Sequence, residues 1–251
     1  MTDRVPTANS TDSSEALLAI AAEIRKCDLC GLASVRTNAV PGAGPFTAEI
    51  MFIGEGPGFN EDVQGLPFVG QSGKLLDTLL AGINLNRGQV FITNVVKCRP
   101  PDNRDPWPDE MQICTSTYLY RQIELLNPKV IVTLGRFSMG LFFPNSKITA
   151  IHGTVKWQNG RAYLPMFHPA AILRNMGLKP QADADMAKLP GLIVEARQRA
   201  ATAQNKPPTT TVTTSAQSTM SSAPSTAAQT QNPAADSIPQ PPPPPKQMSL
   251  F

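Results

Sequence analysis

The chain has 251 residues, of which 41% are hydrophobic, and a formal net charge of +3. So small a charge does not by itself indicate a nucleic-acid-binding protein. No stretch reaches the roughly eighteen apolar residues that a membrane span requires, and residues 1–14 are too polar for a signal peptide. We therefore expect a cytoplasmic protein with no membrane partner.

The composition changes after residue 200. Residues 201–246 hold ten prolines and only three charged side chains. Such a segment buries too little apolar surface to offset the entropy lost on ordering, so the sequence predicts a disordered linker there. We expect a flexible N-terminus over residues 1–14, one folded domain over residues 15–200, and a short separate motif at residues 247–251.

The first half of the domain contains a predicted helix, a strand, a long loop and a second helix. Ser14 caps the first helix, which covers residues 15–24. The apolar run at residues 50–53 is typical of a buried strand, and residues 74–80 have the spacing of a helix that packs on a sheet. The glycine-rich loop at residues 54–70 is longer than strand-to-helix connections usually are, which favours ligand binding. It lacks the Gly-Lys-Ser/Thr ending of a phosphate-binding P-loop.

The second half of the domain alternates strands and helices. Its predicted elements are a strand at residues 89–98, a polar loop at 99–108, a helix at 109–126, a strand at 129–135, a short helix at 137–143, a strand pair at 154–160 and 161–167, and a helix at 181–199. The strand at 129–135 is almost continuously apolar, as in a parallel sheet that is covered on both faces. The pattern predicts an α/β fold with a central, mostly parallel sheet.

The chain has four cysteines, Cys27 and Cys30 in a Cys-x-x-Cys, followed by Cys98 and Cys114. All four lie at predicted element ends or first turns, which favours a single tetrathiolate site. The spacing differs from the paired knuckles of a zinc ribbon, and it does not decide between zinc and a [4Fe–4S] cluster. The alternative is one accidental Cys-x-x-Cys and two buried core thiols.

Several motifs occur in order along the chain. They are Gly-Glu-Gly-Pro-Gly at residues 54–58 with Glu61-Asp62, Pro-Phe-Val-Gly at 67–70, Thr-Asn-Val-Val-Lys-Cys-Arg-Pro-Pro at 93–101, and Phe-His-Pro at 167–169. Together with the cysteines, these motifs resemble the family 4 uracil-DNA glycosylases over residues 15–198. The resemblance implies a three-layer α/β/α fold, excision of uracil from single- or double-stranded DNA, and a [4Fe–4S] cluster bound by the four cysteines.

The resemblance also implies which residues hold a uracil that has been flipped out of DNA. Phe68 is expected to stack on the base, while the loop at Gly54 and Gly56 closes around the sugar and phosphate. Asn94 is expected to accept from uracil N3–H and to donate to O4, a pattern that cytosine presents in reverse. Glu61 is expected to occupy the space that the C5 methyl group of thymine would need.

Two residues are expected to act on the glycosidic bond. Cleavage of the C1′–N1 bond leaves negative charge on uracil, and His168 is expected to donate to its O2 as a neutral imidazole. Some glycosylases of the wider superfamily have an aspartate where this chain has Gly56. Glu55 is the nearest carboxylate, and the sequence leaves open whether it acts as a base or only orients the water. His152 has no motif around it and is expected to be structural.

Two segments are expected to contact DNA. After the Phe-His-Pro motif, Ile172 and Leu173 are expected to enter the base stack, and Arg174 is expected to contact a phosphate. In the proline-rich loop, Asn103 and Arg104 are expected to touch the DNA backbone.

The last five residues carry a second resemblance. Gln247, Met248, Leu250 and Phe251 match the bacterial sliding-clamp-binding peptide Gln-Leu-Ser/Asp-Leu-Phe, with Met in place of the first Leu. At the end of a long polar linker, such a peptide would tether a monomeric enzyme to the clamp and raise its concentration at replicated DNA.

Two other functions remain open from the sequence. One is an iron–sulfur DNA-binding protein of the same superfamily that is non-catalytic or that traps the base site covalently. The relatives that trap covalently carry a basic, histidine-containing loop, which is missing between Asn94 and Pro106. The other is a redox or electron-carrier protein built on the cysteines, but no flavin- or ferredoxin-like motif accompanies them.

Overall fold

The structure, a computed structural model, describes residues 10–204 of the chain, with side chains for residues 12–202. Most of the predicted linker and the whole clamp-binding-like peptide lie outside the described residues. The same is true of residues 1–9, which belong to the predicted flexible N-terminus.

Within the described residues, five strands form one mixed sheet. They are β1 (Ile50–Gly54), β2 (Phe91–Asn94), β3 (Val130–Leu134), β4 (Lys156–Gln158) and β5 (Arg161–Met166). Their order is β2-β1-β3-β5-β4, and all neighbours are parallel except β4 and β5, which form an antiparallel hairpin at one edge. The predicted α/β class with a mostly parallel sheet is confirmed.

Helices cover both faces of this sheet. They are α1 (Ser10–Lys26), α2 (Phe59–Gln64), α3 (Gln71–Ala81), α4 (Pro108–Cys114), α5 (Tyr120–Leu126), α6 (Arg136–Gly140), α7 (Ile148–Ile151), α8 (Pro169–Arg174), α9 (Lys179–Met186) and α10 (Leu189–Gln204). None of the helices described is both long and apolar enough to cross a membrane.

The central strands are apolar throughout because each is buried on both sides. Successive side chains of a strand point to opposite faces of the sheet. Ile50 and Phe52 of β1 therefore pack with α3, α8, α9 and α10, whereas Met51 and Ile53 pack with α1, α4 and α5. The result is two hydrophobic cores, one on each face of the sheet, and the predicted three-layer α/β/α arrangement is confirmed.

Three element boundaries differ from those predicted. Helix α1 begins at Ser10, so Ser14 lies inside the helix instead of capping it, and residues 10–14 are helical. The strand predicted at residues 89–98 ends at Asn94, after which the chain bends away. The helix predicted at residues 181–199 is two helices, α9 and α10. Pro190 lies at the start of α10, where its missing N–H does no harm.

Two predicted loops contain helical turns. Helix α2 interrupts the loop at residues 54–70; acidic residues occupy its first turn, and Gly65, at φ 68°, ends it. The proline-rich loop contains a 3₁₀ turn at Pro101–Asn103. The helix predicted at residues 109–126 is present, but Thr115–Leu119, between α4 and α5, are π-helical.

Candidate active site and cysteine cluster

A cleft of about 690 Å³ opens at the carboxyl ends of the parallel strands. Residues that follow β1, β2, β3 and β5 all line it, because parallel neighbours end at the same edge of a sheet. It collects these residues predicted from the sequence: Glu55, Gly56, Glu61, Phe68, Asn94, Asn103, His168 and Arg174. Most of the residues predicted to form the pocket therefore line a single cleft.

Asn94 is the last residue of β2, and it is almost fully buried at 1% exposure. Its Oδ1 is buried and has no hydrogen-bond partner among the described residues. Buried polar atoms are nearly always paired in proteins, so an unpaired acceptor that lines a cleft indicates a ligand that donates to it. Gly54 lies opposite Asn94 in β1 and leaves the necessary room. A Cβ at Gly54 would lie 2.7 Å from Phe68 Cζ and closer still to Asn94 Oδ1.

Phe68 has a backbone conformation that is unusual for an aromatic residue. Its φ is 53°, in the left-handed region where bulky side chains are strained. Arg87 holds this turn by donating to the Pro67 carbonyl at 3.0 Å and to the Phe68 carbonyl. The ring is 4% exposed, and its centroid lies 5.7 Å from that of the His168 ring. The strained turn therefore fixes an aromatic face beside the imidazole.

Glu61 supports the same turn from the other side. It lies in the first turn of α2, and its Oε1 accepts hydrogen bonds from the N–H groups of Val69 and Gly70, both at 2.9 Å. Gly58 allows the carboxylate to approach, because a Cβ at residue 58 would lie 2.8 Å from Glu61 Oε2. Two N–H donors thus hold the Glu61 carboxylate at the wall of the cleft.

His168 is a neutral donor at physiological pH. Its Nδ1 accepts the N–H of Ala170 at 3.1 Å, so the proton of the neutral ring is on Nε2. Burial and, to a lesser extent, Arg174 lower the pKa of His168 to about 4, against the opposing effect of Glu61. Gly135, at φ 88°, lets the histidine approach β3, since a Cβ there would lie 3.0 Å from His168 Cβ.

Glu55 directly follows β1 and lines the same cleft. Burial raises the pKa of its carboxyl group, and the nearby Asp105 raises it further, whereas Arg136 and Arg174 lower it. Asp105 and Arg136 form an ion pair with each other. Glu55 is therefore a partly desolvated acid beside a mixed set of charges.

The four cysteines line one small cavity on the α1 side of the sheet. Two N–H groups donate to the sulfur atoms. Arg36 Nη1 donates to Cys98 Sγ at 3.0 Å, and the backbone N–H of Lys97 donates to Cys114 Sγ at 3.3 Å. Across residues 12–202, no three His, Cys, Asp or Glu side chains surround a common position for a single metal ion.

The chemistry of this donor set fits a bound metal group. Burial raises the pKa of the free Cys114 thiol to about 11, and it also raises the pKa of Cys98. As free groups, these thiols are uncharged at neutral pH, and a cation must bind for them to become thiolates. Four sulfur donors with N–H groups directed at them suit either zinc or an iron–sulfur cluster.

Known proteins share this sequence over most of its length. The family model of the Uracil DNA glycosylase superfamily matches residues 41–188. A type-4 uracil-DNA glycosylase from Sulfurisphaera tokodaii is 46% identical over 73% of this chain and 88% of that protein. Those from Archaeoglobus fulgidus and Saccharolobus solfataricus are 44% and 49% identical, over 70% and 68% of this chain and 92% and 83% of those proteins. The chain belongs to the type-4 uracil-DNA glycosylases.

In this type-4 uracil-DNA glycosylase, the residues predicted to enter the base stack differ in exposure. Leu173 is 43% exposed, and Arg174 is exposed at the rim of the cleft. Ile172 is 0% exposed and packs in the core beneath α3. The structure therefore corrects the prediction for Ile172, since a side chain held in the core cannot enter a base stack. Leu173 is the exposed large apolar side chain of α8.

The two residues of the proline-rich loop also differ. Arg104 forms hydrogen bonds of 3.0 and 2.7 Å with both carboxylate oxygens of Glu110, and its guanidinium lies 3.8 Å from the centroid of the Trp107 ring. Because the Arg104 charge is already paired with Glu110, Arg104 is less available to a phosphate than the sequence suggested. Asn103 lines the cleft and accepts from Arg99 Nε at 2.9 Å.

The sequence predictions missed the residues that position these groups. Arg87 holds the Phe68 turn, and Asp105 and Arg136 pair beside Glu55. Lys97 is buried between the cysteines and β2. Lys97 could have been singled out from the sequence, because it precedes Cys98 within the motif at residues 93–101. Arg87 and Arg136 carry no local signal, because their partners lie far along the chain.

His152 has the structural role that was expected of it. Its Nδ1 lies 2.8 Å from Asp185 Oδ2, and its ring centroid lies 4.5 Å from that of Phe167. It therefore braces the residue before His168 from outside the cleft.

We expect the His168 imidazole to titrate near pH 4, well below the usual value of about 6.5. The unfolded chain gains this proton near pH 6.5 and the folded chain only near pH 4. The stability that neutral His168 contributes is therefore lost as the pH falls through that window. The measurement is an NMR titration of the imidazole signals. The chain has two histidines, so the His152→Gln variant identifies which signal belongs to His168. A midpoint near 6.5 would contradict the assignment of His168 as a neutral donor.

Proposed function

We propose that this protein is a uracil-DNA glycosylase of base excision repair. It flips uracil out of single- or double-stranded DNA and hydrolyses the C1′–N1 bond, leaving an abasic site. Its membership of the type-4 family supports this activity. The observation that carries the substrate assignment is the buried, unpaired Oδ1 of Asn94 beside Phe68 at the strand ends.

Asn94 suits the reading of the uracil edge. An amide oxygen accepts and an amide nitrogen donates, which complements uracil N3–H and O4. Cytosine presents an acceptor at N3 and a donor at its exocyclic nitrogen, so it would leave both Asn94 groups unpaired. A site built on such hydrogen bonds can reject the wrong base by roughly 10⁴-fold. Phe68 would stack on the ring while this edge is read.

Glu61 is proposed to exclude thymine. Its carboxylate lines the cleft and accepts two backbone N–H groups, so it cannot swing aside without leaving them unpaired. A rigid wall rejects an added methyl group better than a mobile side chain does. Removing Glu61 would also loosen the turn that carries Phe68, so its effect on activity would combine both roles.

The chemical step requires stabilisation of the leaving base. When the C1′–N1 bond breaks, its electron pair moves onto uracil, and negative charge develops at O2. The Nε2–H of neutral His168 is proposed to donate to this oxygen, a contribution of about 3 kcal/mol for one such donor. Water then adds to C1′ of the sugar and loses a proton, which completes hydrolysis.

Glu55 is proposed to act on the sugar side of the reaction. Its position in the cleft suits orientation of the attacking water, and its raised pKa suits acceptance of the proton that the water loses. Its charge would also stabilise an oxocarbenium-like sugar. We propose that substrate binding and leaving-group stabilisation contribute more to the rate than Glu55 does.

The protein is also proposed to act as a monomer in the cytoplasm. All of the cleft residues come from one chain, which supports a monomer, and its DNA substrate supports the cytoplasmic location.

Asn94→Ala should reduce single-turnover excision of uracil by roughly 10²-fold or more, because it removes the groups that read the base. The measurement is formation of alkali-labile abasic sites in single- and double-stranded oligonucleotides that contain uracil. Asn145→Gly is the control, since Asn145 is exposed outside the cleft and glycine accepts its φ of 62°. If the unaltered protein formed no product from either substrate, the proposed activity would be rejected. A covalent protein–DNA adduct would favour base trapping.

The cysteines are proposed to bind a [4Fe–4S] cluster. The four cysteines line one cavity, and the resemblance to the family 4 uracil-DNA glycosylases supports a [4Fe–4S] cluster there rather than zinc. Such a cluster would brace the segments that carry Cys98 and Cys114 against α1. It would also add negative charge from four thiolates to this side of the sheet.

Protein purified without oxygen should be brown and contain about four iron atoms per chain. Cys27→Ser should lower the iron content, because it removes one of the four sulfur ligands. The measurement is elemental analysis with visible absorption spectroscopy. A colourless protein with one zinc ion per chain would replace the cluster proposal with the zinc alternative.

The C-terminal peptide is proposed to bind a DNA sliding clamp. Its resemblance to the clamp-binding sequence supports this partner, and the linker predicted from the sequence at residues 201–246 would span roughly 35–40 Å as a flexible coil. Such a tether would concentrate the enzyme on newly replicated DNA without altering its cleft.

Deletion of residues 247–251 should abolish capture of the protein on an immobilised bacterial clamp, while excision from free oligonucleotides stays unchanged. Met248→Leu, which restores the usual clamp-binding residue, should retain capture. Capture that survived the deletion would show that the peptide is not the contact.

A further inference from the structure

Lys97 is a charged side chain in a fully buried position. It is 1% exposed, and its Nζ donates to Thr93 Oγ1 and to the Asn94 backbone oxygen, both at 2.7 Å. Both of these partners are neutral, and among residues 12–202 no carboxylate forms an ion pair with Lys97. A buried ammonium needs a compensating negative charge or strong hydrogen bonds to remain charged.

The backbone of Lys97 belongs to the cysteine segment. Its N–H donates to Cys114 Sγ at 3.3 Å, and Cys98 is the next residue along the chain. Lys97 also lines the cavity that the four cysteines share. A metal group bound by these cysteines would therefore fix the Lys97 backbone.

The other end of Lys97 reaches the base pocket. Its ammonium holds the carbonyl of Asn94, the residue whose side-chain oxygen is unpaired in the cleft. Thr93, its second acceptor, donates in turn to the Pro41 carbonyl at 3.0 Å. The end of β2 is thus fixed through one buried cation that contacts the cysteine segment.

We propose that Lys97 is a positioning residue that couples the bound metal group to the base-reading side chain of Asn94. Its backbone N–H contacts Cys114 Sγ, and its ammonium holds the Asn94 carbonyl at the end of β2. Lys97 touches neither uracil nor the reacting atoms. This inference rests on the proposed glycosylase activity and deepens it, because it explains what holds the Asn94 side chain in position to read the base.

The decisive experiment is a double-mutant cycle on single-turnover excision of uracil from DNA. Lys97→Met retains much of the side-chain volume and removes the charge. We expect it to lower the rate roughly 10–100-fold, because small displacements of a positioned group carry penalties of that size. In the Asn94→Ala background, the same change should lower the rate less than about 3-fold, because the group that Lys97 positions is already gone.

Lys156→Met is the matched control. Lys156 also donates to a backbone carbonyl, that of Phe142 at 3.0 Å, but it lies on the β4 edge of the sheet. We expect this variant to excise uracil at the unaltered rate. A second readout is the reduction potential of the metal group, which Lys97→Met should make more negative by removing a nearby positive charge, whereas Lys156→Met should leave it unchanged.

Each result decides the inference. Equal losses from Lys97→Met in the two backgrounds would show a general structural role and reject the coupling. An unchanged reduction potential would also reject it, because the Lys97 side chain would then have no effect on the metal group. If Lys97→Met failed to retain iron, Thr93→Val would replace it. That change removes one acceptor of the same ammonium and leaves the cysteines intact. The same non-additivity with Asn94→Ala is then expected, and additive losses would overturn the inference. Absence of excision by the unaltered protein would instead reject the proposed function.

Discussion

The cleft at the strand ends depends on the missing side chain at Gly54. The parallel register of β1 and β2 sets Gly54 opposite Asn94, and the Phe68 ring fills the remaining space. Any Cβ at this position would meet both side chains. A shift of the register by one residue would bring Ile53 or Glu55 to the same point and close the pocket. The same parallel alignment brings the end of β5, and with it His168, to the edge of the sheet where Asn94 lies.

Buried carboxylates then fix the loops around that edge. In the first turn of α2, Glu61 accepts from the turn that follows Phe68, whereas Asp62 accepts from the N–H groups of Thr37 and Asn38. Desolvated carboxylates are tolerated where several N–H donors meet them. One short helix therefore connects the wall of the cleft with the segment that follows the first two cysteines. The cleft and the cysteine cavity are parts of one connected framework.

Much of this arrangement could be predicted from the sequence, and the exceptions have physical reasons. Continuous apolar runs predict strands buried on both faces, and the family resemblance predicts that Asn94 and His168 line one site. The depth of Ile172 could not be predicted, because adjacent residues of a short helix such as α8 differ by about 100° in direction. The ion pair between Arg104 and Glu110 could not be predicted either. It depends on how the proline-rich loop folds back onto the first turn of α4, where Glu110 lies. Roles set by distant partners, such as that of Arg87, leave no local pattern.

The π-helical segment Thr115–Leu119 separates Cys114 from α5, which pairs with α1 through the Arg121–Glu23 ion pair. A π turn contains one residue more than an α-helix would use, and it changes the angular phase of everything beyond it. Without that residue, an unbroken helix would rotate Cys114 by about 100° relative to the face of α5 that packs on α1. Because α1 also delivers Cys27, the angle between these two sulfur atoms is set by a single extra residue in the helix. The length of this segment is therefore a structural constraint of its own, independent of which side chains occupy it.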